Sequence, residues 1–161
     1  MIIFLRHGQA ENNTKKILAG RTPGINLTEQ GKEQAEQAGK MIKSLNISAI
    51  YSSPIDRAIQ TAEIVGKHCD VKPILDDRLI ELDMGKFTMM PYDEIFASHG
   101  NVFLKFYEGS LEISHNGVES FTEVEKRVFD IVDFVKKQHK GENVVLVTHM
   151  DPIKAMIGKV L

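Results

Sequence analysis

The sequence has a single cysteine, Cys69, which excludes an internal disulfide framework, and no Cys/His spacing matches a structural zinc site. A reducing cytoplasm is the simplest setting for such a chain. No apolar stretch is long enough to cross a membrane, and the run Ile2-Ile3-Phe4-Leu5 behind Met1 is too short for a signal peptide. Basic clusters are missing as well: 20 Lys and Arg are scattered against 22 Asp and Glu, for a net charge of −2. That leaves no electrostatic footprint for nucleic acid or an anionic membrane. Internal repeats, low-complexity segments and linkers are also lacking.

What is present is an ordinary globular composition, 42% hydrophobic and 26% charged over 161 residues, enough for one domain with its own core across 1–161. Ile2 to Leu5 reads as a buried strand stopping at Arg6-His7-Gly8. Thr28 caps a first helix with Ala35, Ala38, Met41, Ile42 and Leu45 at helical spacing. Ile47 to Tyr51 predicts a second strand, and Ser53-Pro54 opens a second helix with the stripe Ile55, Ala58, Ala62 and Val65. Cys69 falls on that stripe and reads as a small buried residue.

Ser120 with Glu123 forms a capping box before the amphipathic pattern Phe121, Val124, Val128, Ile131, Val132 and Val135. Val144 to Val147 predicts a third buried strand running into Thr148-His149, with Pro152 opening a closing helix. This alternation predicts an α/β protein, a three-layer α/β/α sandwich around a mostly parallel sheet. The segment 76–117 is punctuated by Gly85, Pro91, Gly100, Gly109 and Gly117 and predicts an irregular excursion that walls a pocket. Ile153, Met156, Ile157, Val160 and Leu161 carry a helical stripe to the last residue with no stop signal. That pattern predicts either a truncated C-terminus or a stripe covered by a partner, such as a second copy in a homodimer.

Open α/β sheets bind ligands beyond the carboxyl ends of their strands. Three such ends here carry Arg6-His7, then Tyr51-Ser52-Ser53 leading to Arg57, and Thr148-His149. Arginine pairs bidentately with phosphate oxygens and a neutral imidazole is a nucleophile, so the combination suits a phosphoryl group. Taken singly, each residue has a plainer reading. His7 would be a hydrogen-bonded strand end, Arg57 and Arg21 solvated charges, and Glu81 an edge carboxylate beside Asp76, Asp77 and Asp83. His68, His99, His115 and His139 lack ligand spacing, and His149-Met150-Asp151 lacks the further ligands a metal needs, so no metal site is expected.

Arg6-His7-Gly8-Gln9-Ala10-Glu11-Asn12-Asn13 resembles the opening signature of the histidine phosphatase superfamily, which includes cofactor-dependent phosphoglycerate mutases. The resemblance continues through Gly20-Arg21, Leu27-Thr28, Gly31, Gln34-Ala35, Tyr51 to Pro54, Arg57-Ala58, Gln60 to Ala62, Arg78 to Phe87, Gly117 to Ser120 and Val147 to His149. It implies a phosphoglycerate mutase-like fold and a metal-independent phosphatase acting on a small phosphorylated metabolite, with no cofactor. His7 is then the nucleophile that becomes phosphorylated, and Arg6, Arg57 and His149 grip the nonbridging oxygens. Asn13 joins the phosphate pocket, Glu81 protonates the leaving oxygen and then activates water, and Arg21 is a candidate substrate contact.

A phosphoglycerate mutase is the nearest rival, and a non-catalytic phosphate-binding regulatory domain is the reading from another class. Departures from the family pattern bear on the substrate. Met150-Asp151-Pro152 stands where a pair of small residues is common, so that Met150 can crowd the pocket floor. Gln9 replaces a common glutamate, and Thr88-Met89 follows Phe87.

Overall fold

The computed structural model describes residues 1–100 and 117–160. The sheet contains β1 (Ile2–Arg6), β2 (Ile47–Ser52), β3 (Ile74–Leu75) and β4 (Asn143–Thr148) in the order β1-β4-β2-β3, all parallel. The helices are α1 (Glu11–Thr14), α2 (Glu29–Ile42), α3 (Asp56–Cys69), α4 (Tyr92–His99), α5 (Phe121–Gln138) and α6 (Met150–Val160). None is long and apolar enough to cross a membrane.

Period-two alternation sorts the central strand between two cores. Val145 and Val147 pack with Ile50, Ala58, Ala62 and Val65 on the side of α2 and α3. Val144 and Leu146 pack with Ile131, Val132 and Val135 on the side of α5, with Phe4 and Met156 against them. Apolar side chains on both faces of a parallel strand require helices on both faces, and the result is the three-layer α/β/α sandwich that the sequence predicts. The capping box of Ser120 and Glu123 forms as predicted, with Ser120 Oγ accepting from the Glu123 N–H at 3.2 Å. Thr28 caps α2 by accepting from Gly31 N–H at 3.0 Å.

Several local expectations are revised. Ser53 does not cap the second helix: α3 starts at Asp56 after an extended Ile55 with no side-chain cap, and Ser53 Oγ instead accepts from the Ile55 N–H at 3.4 Å, short of the helix, and pairs with His149 Nε2, 2.7 Å away. Met41 is 78% exposed rather than part of the buried stripe, since α2 ends one residue later and tightens into a 3₁₀ turn over Lys43–Leu45. Cys69 is half-buried against the α2/α3 core. β3 is a two-residue edge strand, too short to leave a periodic signal. The described part of the 76–117 excursion consists of 3₁₀ turns at Asp77–Leu79 and Gly85–Phe87 and the helix α4, pinned by buried Leu79, Leu82, Met84, Phe87 and Ile95. Gly109, His115 and Leu161 lie outside the described residues.

Register positions the chemistry. Arg6 pairs with Thr148 and Ser52 with Val147, and the ladder runs one step further through His7 N–H to Thr148 O at 3.0 Å and Ser53 N–H to Val147 O at 2.9 Å. His7, Ser53 and His149 therefore leave the sheet side by side. The loop after His7 is pressed onto the start of α2: a Cβ on Gly8 would meet the Gly31 carbonyl oxygen at 2.3 Å, and one on Gly31 would meet the Gln9 carbonyl oxygen at 1.9 Å. Two backbones touch where no side chain fits. Gly31→Ala is expected to destabilise the protein by about 1–3 kcal/mol or more through overpacking. Equilibrium urea unfolding measures this, and an unchanged midpoint would contradict the contact.

Candidate active site

Beyond the strand ends lies a cavity of about 360 Å³ whose wall includes Arg6, His7, Asn13, Arg57, Glu81 and Tyr92. His7 sits on the first loop residue after β1, 8% exposed. Its Nδ1 is 2.7 Å from the Gly8 carbonyl oxygen, and Arg57 Nε faces its Nε2 at 3.3 Å. A carbonyl only accepts and a guanidinium only donates, so the proton belongs on Nδ1 and Nε2 presents a lone pair. Burial, followed by the nearby Arg57 cation, pulls the His7 pKa down to about 3, with Arg6 adding to the effect. The imidazole is therefore neutral over the whole physiological range.

Arg57, in the first turn of α3, is 2% exposed. It donates from Nη2 to the Gly20 carbonyl at 2.8 Å, while Nη1 is buried with no protein partner. A buried charged donor without an acceptor is unfavourable, and a phosphoryl oxygen in the cavity would satisfy it. Asn13 Oδ1 accepts from Ala10 N–H at 2.8 Å, which fixes its carboxamide at the cavity edge with the amide nitrogen as the remaining donor.

His149 stands behind His7, outside the cavity surface. The two rings meet edge-on with centroids 5.0 Å apart. Its Nε2 pairs with Ser53 Oγ, and its Nδ1 is buried without a partner. Burial, then His7 and Arg57, holds its pKa well below the usual imidazole range.

Glu81, 8% exposed, accepts from Leu82 N–H at 2.8 Å. Burial and then the Asp151 carboxylate push its pKa up to about 7, against the pull of backbone N–H groups and Arg57. It is an acid poised to hold or release a proton near neutrality.

Arg21 does not reach the cavity wall. Its Nε donates to the Glu81 carbonyl at 2.8 Å and its Nη2 to Glu119 at 2.9 Å. Tyr92 and Lys154 line the cavity without having been singled out by the sequence, and Asp151, weighed there only as a metal partner of His149 and as a departure from the family pattern, lines it too. Nothing in the chain marks Tyr92 before the fold brings α4 over the site. Met150 does line the cavity, half-buried at the first turn of α6. Among the described residues no group of three or more His, Cys, Asp or Glu is arranged to hold a metal ion.

The sequence pattern of the histidine phosphatase superfamily (branch 1) matches residues 2–161. Phosphoserine phosphatase 1 of Hydrogenobacter thermophilus is 31% identical over 158 residues, covering 96% of the chain and 73% of that protein. A 2,3-bisphosphoglycerate-dependent phosphoglycerate mutase of Thermoplasma acidophilum is 35% identical over 158 residues, covering 97% and 74%. Among solved structures, a mycobacterial glucosyl-3-phosphoglycerate phosphatase complexed with VO3 superposes with a TM-score of 0.90 at 27% identity, covering 99% of the chain and 81% of its own.

Bare donors around the cavity predict stabilisation by a tetrahedral or trigonal oxyanion. At a hundredfold excess over Kd, inorganic phosphate or vanadate should add about 2.7 kcal/mol, or roughly 5–10 °C in Tm for a chain of this size. Arg57→Leu should remove most of that shift in differential scanning fluorimetry; a full shift in the variant would place the anion elsewhere.

Proposed function

The chain belongs to the histidine phosphatase superfamily, and from that premise we propose that it hydrolyses small phosphomonoesters through a phosphohistidine on His7, without a metal. The observation that carries this reading is the fixed tautomer of His7, whose unprotonated Nε2 turns its lone pair toward Arg57 in a cationic cavity that also holds a carboxyl of raised pKa. The domain is read as the whole of 1–161, with the 76–117 excursion as the pocket wall that carries Glu81. A reducing cytoplasm is its proposed setting.

In the first step His7 Nε2 forms a bond to phosphorus as the ester P–O bond breaks, and the leaving oxygen takes the proton of Glu81. Charge on the equatorial oxygens is met by Arg6 and Arg57, with Asn13 at the edge and His149 packed behind the nucleophile. Phosphoryl transfer needs mainly positioning and charge stabilisation of this kind. In the second step the Glu81 carboxylate takes a proton from water, the water oxygen bonds to phosphorus, and the N–P bond breaks. Both residues return to their starting states.

A mutase is the second reading, favoured by the 35% identity to a 2,3-bisphosphoglycerate-dependent enzyme. The same phosphohistidine would return its group to a second hydroxyl when water is kept out. Interconversion of phosphoglycerates that depends on a 2,3-bisphosphoglycerate primer, with little release of phosphate, would favour it over hydrolysis.

Hydrolysis of an aryl phosphate is expected to proceed in EDTA and to fall by at least about a thousandfold in His7→Ala, as when a nucleophile is deleted. An acid-labile phosphoenzyme should be trapped in the parent only. Full activity in His7→Ala would sink the proposal.

The pH profile of kcat/KM follows from the two shifts. His7 must be unprotonated, so the acid limb lies near 3. Glu81 must be protonated, so for esters with poor leaving groups the rate declines as pH rises through about 7. Glu81→Gln should abolish the alkaline limb for such an ester, and a limb that persists there would assign it to another group.

A further inference from the structure

The backbone that carries Glu81 is irregular, and irregular backbone does not hold a side chain to the tolerance that proton transfer requires. Here it is tied down by a partly buried ionic cluster that touches neither the cavity nor the nucleophile. Arg127, on the second turn of α5, donates from Nη1 to the carbonyls of Arg78, at 2.9 Å, and Ile80. Its Nε and Nη2 grip the two carboxylate oxygens of Glu119, both at 3.0 Å. Glu119 Oε2 also accepts from Asp83 N–H at 3.3 Å and from Arg21 Nη2 at 2.9 Å, while Arg21 Nε holds the Glu81 carbonyl itself at 2.8 Å. The Glu119 and Arg127 side chains are only 13% and 15% exposed. Carbonyls or amides of residues 78, 80, 81 and 83 are thus bound to three side chains that share a single carboxylate.

We propose that Glu119, bracketed by Arg21 and Arg127, is a positioning residue for Glu81, holding the irregular segment 78–83 so that the acid meets the leaving oxygen. Arg21 then serves the acid and not the substrate. The bidentate Arg127 pair sets the angle of the carboxylate, and that carboxylate in turn fixes Arg21. Losing the centre of the cluster leaves the largely buried Arg127 guanidinium without its carboxylate and releases the Asp83 amide together with the Arg21 end of the clamp.

This inference rests on the acid role of Glu81, and leaving-group dependence tests it. A 4-nitrophenyl leaving group needs no proton, whereas an alkoxide does. The second-order constant kcat/KM covers the steps up to phosphoenzyme formation, where the acid acts. Glu119→Gln should lower kcat/KM for an alkyl phosphate by about tenfold or more, part of the 10²–10⁴ that general acids supply, and change that for 4-nitrophenyl phosphate by less than about twofold. In a Glu81→Gln background the same substitution should cause no further selective loss.

Equal losses on both substrates, or a full additional loss in the Glu81→Gln background, would overturn the proposal and leave the cluster a fold staple. A Glu81→Gln variant that treats both substrates alike would overturn it too, because there would be no acid to position. Should Glu119→Gln fail to fold, Arg21→Met, at the more exposed end of the cluster, supplies the same comparison. The hydrolase reading is decided separately, by whether activity depends on His7.

Discussion

The ladder joining β1, β4 and β2 continues past the last strand residues, and this continuation governs the geometry of the site. His7 and Ser53 each donate a backbone N–H to β4, at Thr148 and Val147. Their Cα positions are therefore set by sheet register and not by loop packing. His149 emerges from the middle strand between them, and the edge-on contact with His7 and the hydrogen bond to Ser53 follow from that placement. A slip of one residue in β4 would reverse the faces of Val144 to Val147, so the cores on either side of the sheet and the imidazole pair are specified together.

On this frame the protein assembles charges that are unfavourable by themselves. Arg57 is almost fully buried, and burial lowers its pKa while Glu81 and Asp56 raise it. The two histidines respond by remaining neutral, and Glu81 by favouring its protonated form. Each shift has burial as its largest cause, so one property, exclusion of water behind the strand ends, produces a neutral imidazole at His7 and a protonated carboxyl at Glu81 in the same cavity. The proposed roles of nucleophile and acid need these opposite protonation states, and desolvation disfavours charge on both.

Much of the frame was legible in the chain. Val144 to Val147 and the stripe from Val124 to Val135 carry strong periodic signals, and the strand ends at Arg6, Ser52 and Thr148 located the edge where polar residues gather. The misses share a physical origin. Ser53 has the composition of a helix cap, but its hydroxyl is shared between the Ile55 N–H ahead of the helix and a tertiary partner 96 residues away. Met41 satisfies the helical spacing at the edge of the stripe, yet it points to solvent while its neighbours Ile42 and Leu45 take the places against the core. Arg21 sits in a Gly/Pro loop whose direction depends on contacts with Glu81 and Glu119, 60 and 98 residues further on. Tyr92 reaches the cavity only because α4 folds over it. Local pattern encodes which face is apolar; it does not encode which distant polar group a side chain will meet.

On the proposed phosphomonoester hydrolysis, the unpartnered Nη1 of Arg57 has one more consequence, for the end of the reaction cycle. A donor held rigid and unsatisfied binds any tetrahedral phosphate, and the released inorganic phosphate carries the same oxygens as the ester it came from. Grip that is equal for ester, product and transition state lowers KM without raising kcat. Such a grip also slows the exit of phosphate. The rigidity that prepares this arginine for the ester thus sets a ceiling on turnover, unless the trigonal bipyramidal state, with its oxygens spread in a plane, draws the guanidinium more strongly than either tetrahedral species does.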